Sequence, residues 1–177
     1  MPAALDPILF VPGLVYGALI RARNALYASG ALPRVRLPAP VLSVGNLTLG
    51  GTGKTPMVLY IARLLRAHGY EPAVLTRGYG RANAGTTHIL PPGAHPLPDA
   101  DPGDEPAVML RHLPYAWMGI SKDRVRAGRA IVNRARRPVF ILDDGFQHRR
   151  LHRDLDLVMV DRSQPFGRNR VFPRGTL

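Results

Sequence analysis

Gly50-Gly-Thr-Gly-Lys-Thr55 is the stretch of this 177-residue chain whose residue types and spacing are best suited to chemistry. Phosphate oxygens need many donors at close range. Glycines let backbone N–H groups approach, and the N-terminus of a following helix adds positive potential. Between a strand and a helix, Gly50, Gly51, Thr52 and Gly53 would cradle phosphates. Lys54 would reach the β- and γ-phosphates, and the Thr55 hydroxyl would ligate Mg2+. The generic motif places a further glycine where this chain has Thr48, so the strict pattern is missed by one residue. The competing reading is a glycine-rich turn that binds no phosphate.

Val139-Phe-Ile-Leu-Asp143 complements that loop. An apolar strand delivering a carboxylate at its C-terminal end, beside a phosphate loop, holds Mg2+ directly or through water. Strands often end in Asp, so the motif gains its meaning from the loop upstream. Asp144 adds a second carboxylate. Gly103-Asp-Glu-Pro106 is ambiguous by itself. Asp104 before Glu105-Pro106 makes a good helix N-cap, the simpler reading on spacing; the functional reading is a general base that takes a proton from an acceptor hydroxyl. His148 and His152, four residues apart, are spaced to share a helix face, but Arg149, Arg150 and Arg153 around them argue against a metal site.

Holding these groups in place calls for alternating strands and helices. Residues 41–44 read as a short buried strand ending in Gly45-Asn46. Met57, Ile61, Leu64 and Leu65 recur at helical spacing until Gly69 stops the helix. Residues 73–76 form a second strand running into Arg77-Gly-Tyr-Gly80. Residues 81–103, rich in Gly, Pro and Ala and without periodicity, read as one long loop. A short helix follows from Asp104 to about Leu113. Residues 115–120 read as a strand with Trp117 and Met118 in the core, and Ser121 caps a further helix to about Arg134. Residues 138–142 and 155–160 are the last strands. The alternation predicts an α/β fold: a P-loop NTPase-like, mostly parallel sheet with helices on both faces.

Composition bounds the partners. Lys+Arg number 24 against 12 Asp+Glu, a net charge of +12, and only Lys54 and Lys122 are lysines. Such an excess suits nucleic acid, phospholipid headgroups or a phosphorylated substrate, or reflects drift toward Arg. Aromatic residues at 7% leave few stacking platforms, and no zinc-finger or RNP-type motif occurs, so no nucleic-acid partner is expected. With no Cys there is neither a disulfide scaffold nor a cysteine-ligated metal. Residues 8–20 are apolar throughout, and Arg21 and Arg23 follow at once. This run is too short for a helix to cross about 30 Å of hydrocarbon. A signal peptide would carry its positive charge first. Apolar residues followed by Arg21, Arg23, Arg34 and Arg36 predict an interfacial helix on an anionic membrane surface, or else a helix packed on the domain.

Taken together and in order, Val44-Gly-Asn-Leu-Thr-Leu-Gly-Gly-Thr-Gly-Lys-Thr-Pro56, Arg77-Gly-Tyr-Gly80, Gly103-Asp-Glu-Pro106, Lys122-Asp-Arg124 and Asp143-Asp-Gly-Phe-Gln-His148 closely resemble the tetraacyldisaccharide 4′-kinases. In that family Thr is usual at the position of Thr48. The resemblance implies ATP- and Mg2+-dependent phosphorylation of the 4′-hydroxyl of a lipid-linked glucosamine disaccharide 1-phosphate, a step of lipid A biosynthesis. It implies that Thr48, the loop glycines, Thr52 and Lys54 hold ATP, with Thr55, Asp143 and Glu105 at the metal. Asp104 becomes the base, which overturns the cap reading. Asp144, His148 and Arg124 join it in the active site, Arg124 meeting anionic phosphate, while Tyr79 and Arg77 position substrate. The resemblance further implies a membrane-facing segment over residues 1–37 and a kinase domain over 38–177, at the cytoplasmic face of the inner membrane.

Two departures set further expectations. Family members continue into a second α/β lobe, which supplies a His that partners the catalytic Asp, and no residue here matches it. Where the family favours a Gly-Asn-Gly turn and a Pro-Ala-Gly-Pro-Leu run, this chain reads Gly167-Arg-Asn-Arg170 and Pro173-Arg-Gly-Thr-Leu177. The expectation is a truncated kinase, inactive alone. Its rival is a non-catalytic nucleotide- and membrane-binding remnant or module. A GTPase-type metallochaperone would show a guanine-reading Asn/Thr-Lys-x-Asp signature and Cys/His ligands, and neither is evident.

Overall fold

In the computed structural model, which describes residues 10–46, 53–78, 85–94 and 104–162, the apolar runs and their Gly and Pro breaks resolve into six strands and four helices. Helix α1 is Phe10–Ala28. Strand β1 (Val41–Asn46) leads to α2 (Lys54–Ala67), β2 (Glu71–Thr76) and β3 (His88–Leu90). Helix α3 (Asp104–His112), β4 (Trp117–Ile120), α4 (Arg124–Val132), β5 (Pro138–Asp143), a 3₁₀ turn (Gly145–Gln147) and β6 (Leu155–Met159) follow. The strands form one sheet in the order β3-β4-β2-β5-β1-β6. All neighbours run parallel except β3, which is antiparallel to β4.

Successive side chains of a strand point to opposite faces, so each central strand feeds two cores. Val74 and Ile141 pack with Val58, Ile61 and Ala62 of α2 and Met109 and Leu110 of α3. Their neighbours Leu75 and Leu142 pack on the other face with Val125, Ala127 and Ile131 of α4. Helices therefore cover both faces, and strands buried on both sides read as unbroken apolar runs rather than alternating ones. Trp117 and Met118 are core residues, as expected.

Several local expectations change. Residues 81–103 are not one loop, because β3 adds an antiparallel edge strand, with His88 opposite Ile120 and Leu90 opposite Met118. Of its three residues only Leu90 is buried, too little to leave a periodic signal. The strand expected over 115–120 begins at Trp117, since residues 114–116 turn. Ser121 does not cap α4. Asp123 does, its carboxylate accepting from the N–H groups of Val125 and Arg126 at 3.0 and 3.2 Å, while the Ser121 hydroxyl accepts from Asp123 N–H at 3.1 Å. His148 and His152 share no helix, as His148 ends the 3₁₀ turn and His152 follows a bridge at Leu151.

Helix α1 runs well past Ile20, to Ala28. Its Gly13 and Gly17 are buried, while Leu14, Val15, Leu19 and Leu26 are exposed. Among the described residues no helix is long and apolar enough to cross a membrane.

Candidate active site

Parallel strands deliver their C-terminal ends to one edge of a sheet, and ligand crevices form there. Here β1 and β5 are neighbours, with Val44 opposite Asp143. Gly53, with φ 79°, makes the left-handed turn that starts α2, a conformation most side chains resist. Lys54, in the first turn, sends its Nζ back across the strand ends. It donates to Asn46 Oδ1 at 2.8 Å and lies 3.4 Å from Asp144 Oδ1.

Asp143 is 4% exposed and accepts a hydrogen bond from the Thr76 hydroxyl at 3.0 Å. Burial pushes its carboxyl up to about 6. The Thr76 bond pulls it down, Glu105 and Asp144 push it further up, and Lys54 opposes them. Asp144 is the one non-glycine residue with positive φ, 50°, among the described residues. Asp tolerates this region better than most residues, and such strain persists where the surroundings hold it. Those surroundings are visible. A Cβ on Gly145 would fall 2.3 Å from Ser43 Oγ, and one on Gly45 would fall 1.9 Å from the Phe146 ring. Phe146 thus lies directly on β1. From the other side Arg153 donates to the Gly145 carbonyl at 3.1 Å, its guanidinium 5.9 Å from the Phe146 ring centre.

Beside this turn opens a cavity of about 260 Å³ lined by Arg23, Arg77, Lys122 and Arg124 with Asp144, Gln147 and His148. Arg124 is buried at the start of α4. Burial pushes His148 down to about 4, Arg124 adds to this, Asp123 opposes it, and Arg150 and Arg153 push the same way. The imidazole is therefore neutral at pH 7. Its Nε2 is buried and has no hydrogen-bond partner among the described residues.

Two groupings of the expected residues emerge: Lys54, Asp143 and Asp144 at the strand ends, and Arg77, Arg124 and His148 in the cavity, with Asp144 bordering both. Glu105 lies close enough to raise Asp143. Thr55 is half-buried in the first turn of α2, and Asp104 is exposed in the first turn of α3. Thr48, Gly50, Gly51, Thr52 and Tyr79 lie outside the described residues. Asn46, Thr76 and Arg23 were not anticipated as site residues. Asn46 sits inside the motif at the end of β1 and Thr76 at the end of β2, so strand-end position was the available signal. Arg23 contacts a residue 124 positions away, which no local pattern carries.

The oxygen donors Thr55, Asp143 and Glu105 fit a hard cation such as Mg2+, and a buried carboxylate raised by neighbouring acids gains from one. No group of three or more His, Cys, Asp or Glu able to hold a metal occurs among the described residues. A cation here would complete its shell with phosphate oxygens and water, as Mg2+ commonly does.

A mostly parallel sheet whose first strand leads to a Gly-Lys-Thr helix start, with a buried carboxylate ending the adjacent strand, defines the P-loop nucleotide-binding class. More particularly, the model of the tetraacyldisaccharide-1-P 4′-kinase family, LpxK, matches residues 5–177, and the chain belongs to that family. It is 45% identical over 98% of its length to a tetraacyldisaccharide 4′-kinase of Geobacter sulfurreducens, covering 49% of that protein. It is 47% identical over 98% of its length to one of Geobacter metallireducens, covering 51%. Its fold is similar to that of the crystal structure of "apo" form LpxK from Aquifex aeolicus in complex with ATP. The TM-score is 0.88 at 39% identity, covering 98% of this chain and 54% of that one. The chain thus spans about half the length of the curated relatives it matches.

Proposed function

We propose that this chain carries the ATP- and Mg2+-binding part of an enzyme that transfers the γ-phosphoryl group of ATP to the 4′-hydroxyl of a tetraacyldisaccharide 1-phosphate. The supporting observation is the meeting of Lys54, Asp143 and Asp144 where β1 and β5 end. Lys54 exchanges Asp144 for the β- and γ-phosphates, and the P-loop, including Thr48, Gly50, Gly51, Thr52 and Gly53, holds the rest of the nucleotide. Thr55, Asp143 and Glu105 hold the metal, which neutralises phosphate charge. Asp104 takes the hydroxyl proton as the bond from γ-phosphorus to the bridging oxygen breaks and the new P–O bond forms. Arg77, Tyr79 and Arg124 position the anionic acceptor, with Asp144 and His148 beside it. Phosphoryl transfer asks mainly for such positioning and charge neutralisation. Residues 1–37 face the cytoplasmic leaflet of the inner membrane, and residues 38–177 carry the site.

The test is a transfer assay with the purified chain, Mg·ATP and the disaccharide monophosphate in mixed micelles. A 4′-phosphorylated product, absent in Lys54→Ala, is the expected result for a competent site. Binding of Mg·ATP and of vesicles without any product means that the chain does not catalyse transfer alone, as a truncated kinase and a non-catalytic module both would. A folded chain that binds no Mg·ATP overturns both readings.

A further inference from the structure

Helix α1 touches the segment that follows the Asp144 turn at one point, and the chain beyond the helix touches it at three more. On the helix itself, Arg23 donates to the carbonyl oxygen of Gln147. Past the helix, Val35 N–H donates to the Arg150 carbonyl at 2.7 Å and His152 N–H donates to the Val35 carbonyl at 2.8 Å. Arg36 pairs with Asp154 at 2.8 Å. The helix and its exit therefore grip both ends of residues 147–154, the stretch that leaves the Asp144 turn. Asp144 in turn faces Lys54.

The rest of α1 is placed differently. No described residue of it enters either core. Val15, Leu19 and Leu26, at helical spacing, form an exposed apolar stripe, with Leu19 64% exposed. A surface that takes up this stripe fixes the helix, and the Arg23 guanidinium transmits that to the Gln147 carbonyl through a charge-assisted bond. The turn it holds is wedged by Phe146 against Gly45, and Asp144, which precedes the turn, has a left-handed backbone that few residues adopt. A shift at Gln147 is thereby delivered to the Asp144 carboxylate rather than absorbed.

We infer that Arg23 is a positioning residue that couples occupation of the apolar stripe of α1 by a phospholipid surface to nucleotide affinity at Lys54. The inference rests on the proposed ATP and membrane roles of those two regions. Coupling between two binding events is reciprocal: lipid alters the affinity for Mg·ATP by the same factor as Mg·ATP alters that for lipid. Arg21 lies on the same helix and carries the same charge, so it separates the hydrogen bond from mere electrostatics.

The experiment measures the Kd for Mg·ATP by calorimetry, with and without saturating mixed phosphatidylethanolamine–phosphatidylglycerol vesicles. The wild-type chain is expected to show a ratio of about fivefold or more. Arg23→Ala brings that ratio to near one. Arg23→Lys, which keeps a cationic donor, restores most of it, and Arg21→Ala retains it. A vesicle-independent Kd in a chain that binds both Mg·ATP and vesicles overturns the coupling and leaves the nucleotide site intact. So does an unchanged ratio in Arg23→Ala, or equal loss in Arg21→Ala. Failure to bind Mg·ATP without vesicles, or failure to bind vesicles, overturns the reading on which the coupling rests.

Discussion

The strand-end cluster and the cavity beside it share Asp144 but handle charge in opposite ways. At the strand ends, Lys54 lies between Asn46 and Asp144, and buried Asp143 takes the Thr76 hydroxyl bond. Acid dominates there, and the Asp143 carboxyl is pushed up to about 6. In the cavity, Arg23, Arg77, Lys122 and Arg124 outnumber Asp144, and His148 is pushed down to about 4. One region is deficient in cations and the other in anions. A single turn, Gly145–Gln147, lies between them.

The largest effect should come from removing the cation that bridges the acidic region. Lys54→Ala is expected to weaken Mg·ATP binding about 10- to 100-fold by calorimetry, the worth of a hydrogen bond to a charged group. Binding as tight as wild type would show that the strand ends are not the phosphate site. Asp143→Asn should reduce the enhancement of ATP binding by Mg2+ about tenfold or more. Without Mg2+ it should leave the melting temperature unchanged or raised, because the amide still accepts from Thr76 and no buried charge remains. A lowered melting temperature would mean that the carboxylate is structural.

Next in size is the wedge between the regions. Gly45→Ala would place a methyl group where the Phe146 ring lies, and a loss of about 1–3 kcal/mol in denaturant unfolding is expected.

The opposed shifts also predict opposed pH dependences. Asp143 is raised in the folded state, so its contribution to stability is full below about 4 and is lost as pH rises to about 6. His148 is depressed, so its contribution is full above 6.5 and is lost as pH falls toward about 4. In the wild type the two offset each other between these limits. Asp143→Asn should therefore make stability rise with pH across this window, and His148→Gln should make it fall. Parallel profiles in the two variants would break the contrast. The smallest effect is expected at the exposed Arg36–Asp154 pair, where Arg36→Ala should cost less than about 1 kcal/mol.

Much of the site was legible because its parts are local in the chain. The run ending in Asp143 could be read as a buried strand because both its faces are covered. The helix start at Lys54 was legible because Gly69 and the helical spacing of Met57, Ile61, Leu64 and Leu65 lie close together in the chain. The base role proposed for Asp104 came only from the resemblance, since a cap and a base look alike in sequence. Strand β3 was hidden by its length, and the cap of α4 was misplaced because Ser121 and Asp123 are both good capping types. Spacing alone could not say which one faces the helix N–H groups.

By itself, the sequence determined the α/β class, the order of most elements and the chemical types gathered at the site. Backbone preference, side-chain period and motif spacing all act over a few residues, so they are written in linear order. Only the tertiary structure decided that Lys54 meets Asp144, that Thr76 meets Asp143, that burial pushes His148 down, and that Arg23 holds Gln147. Those outcomes depend on which strand lies beside which, and on how much water burial removes. Neither can be read from spacing along the chain.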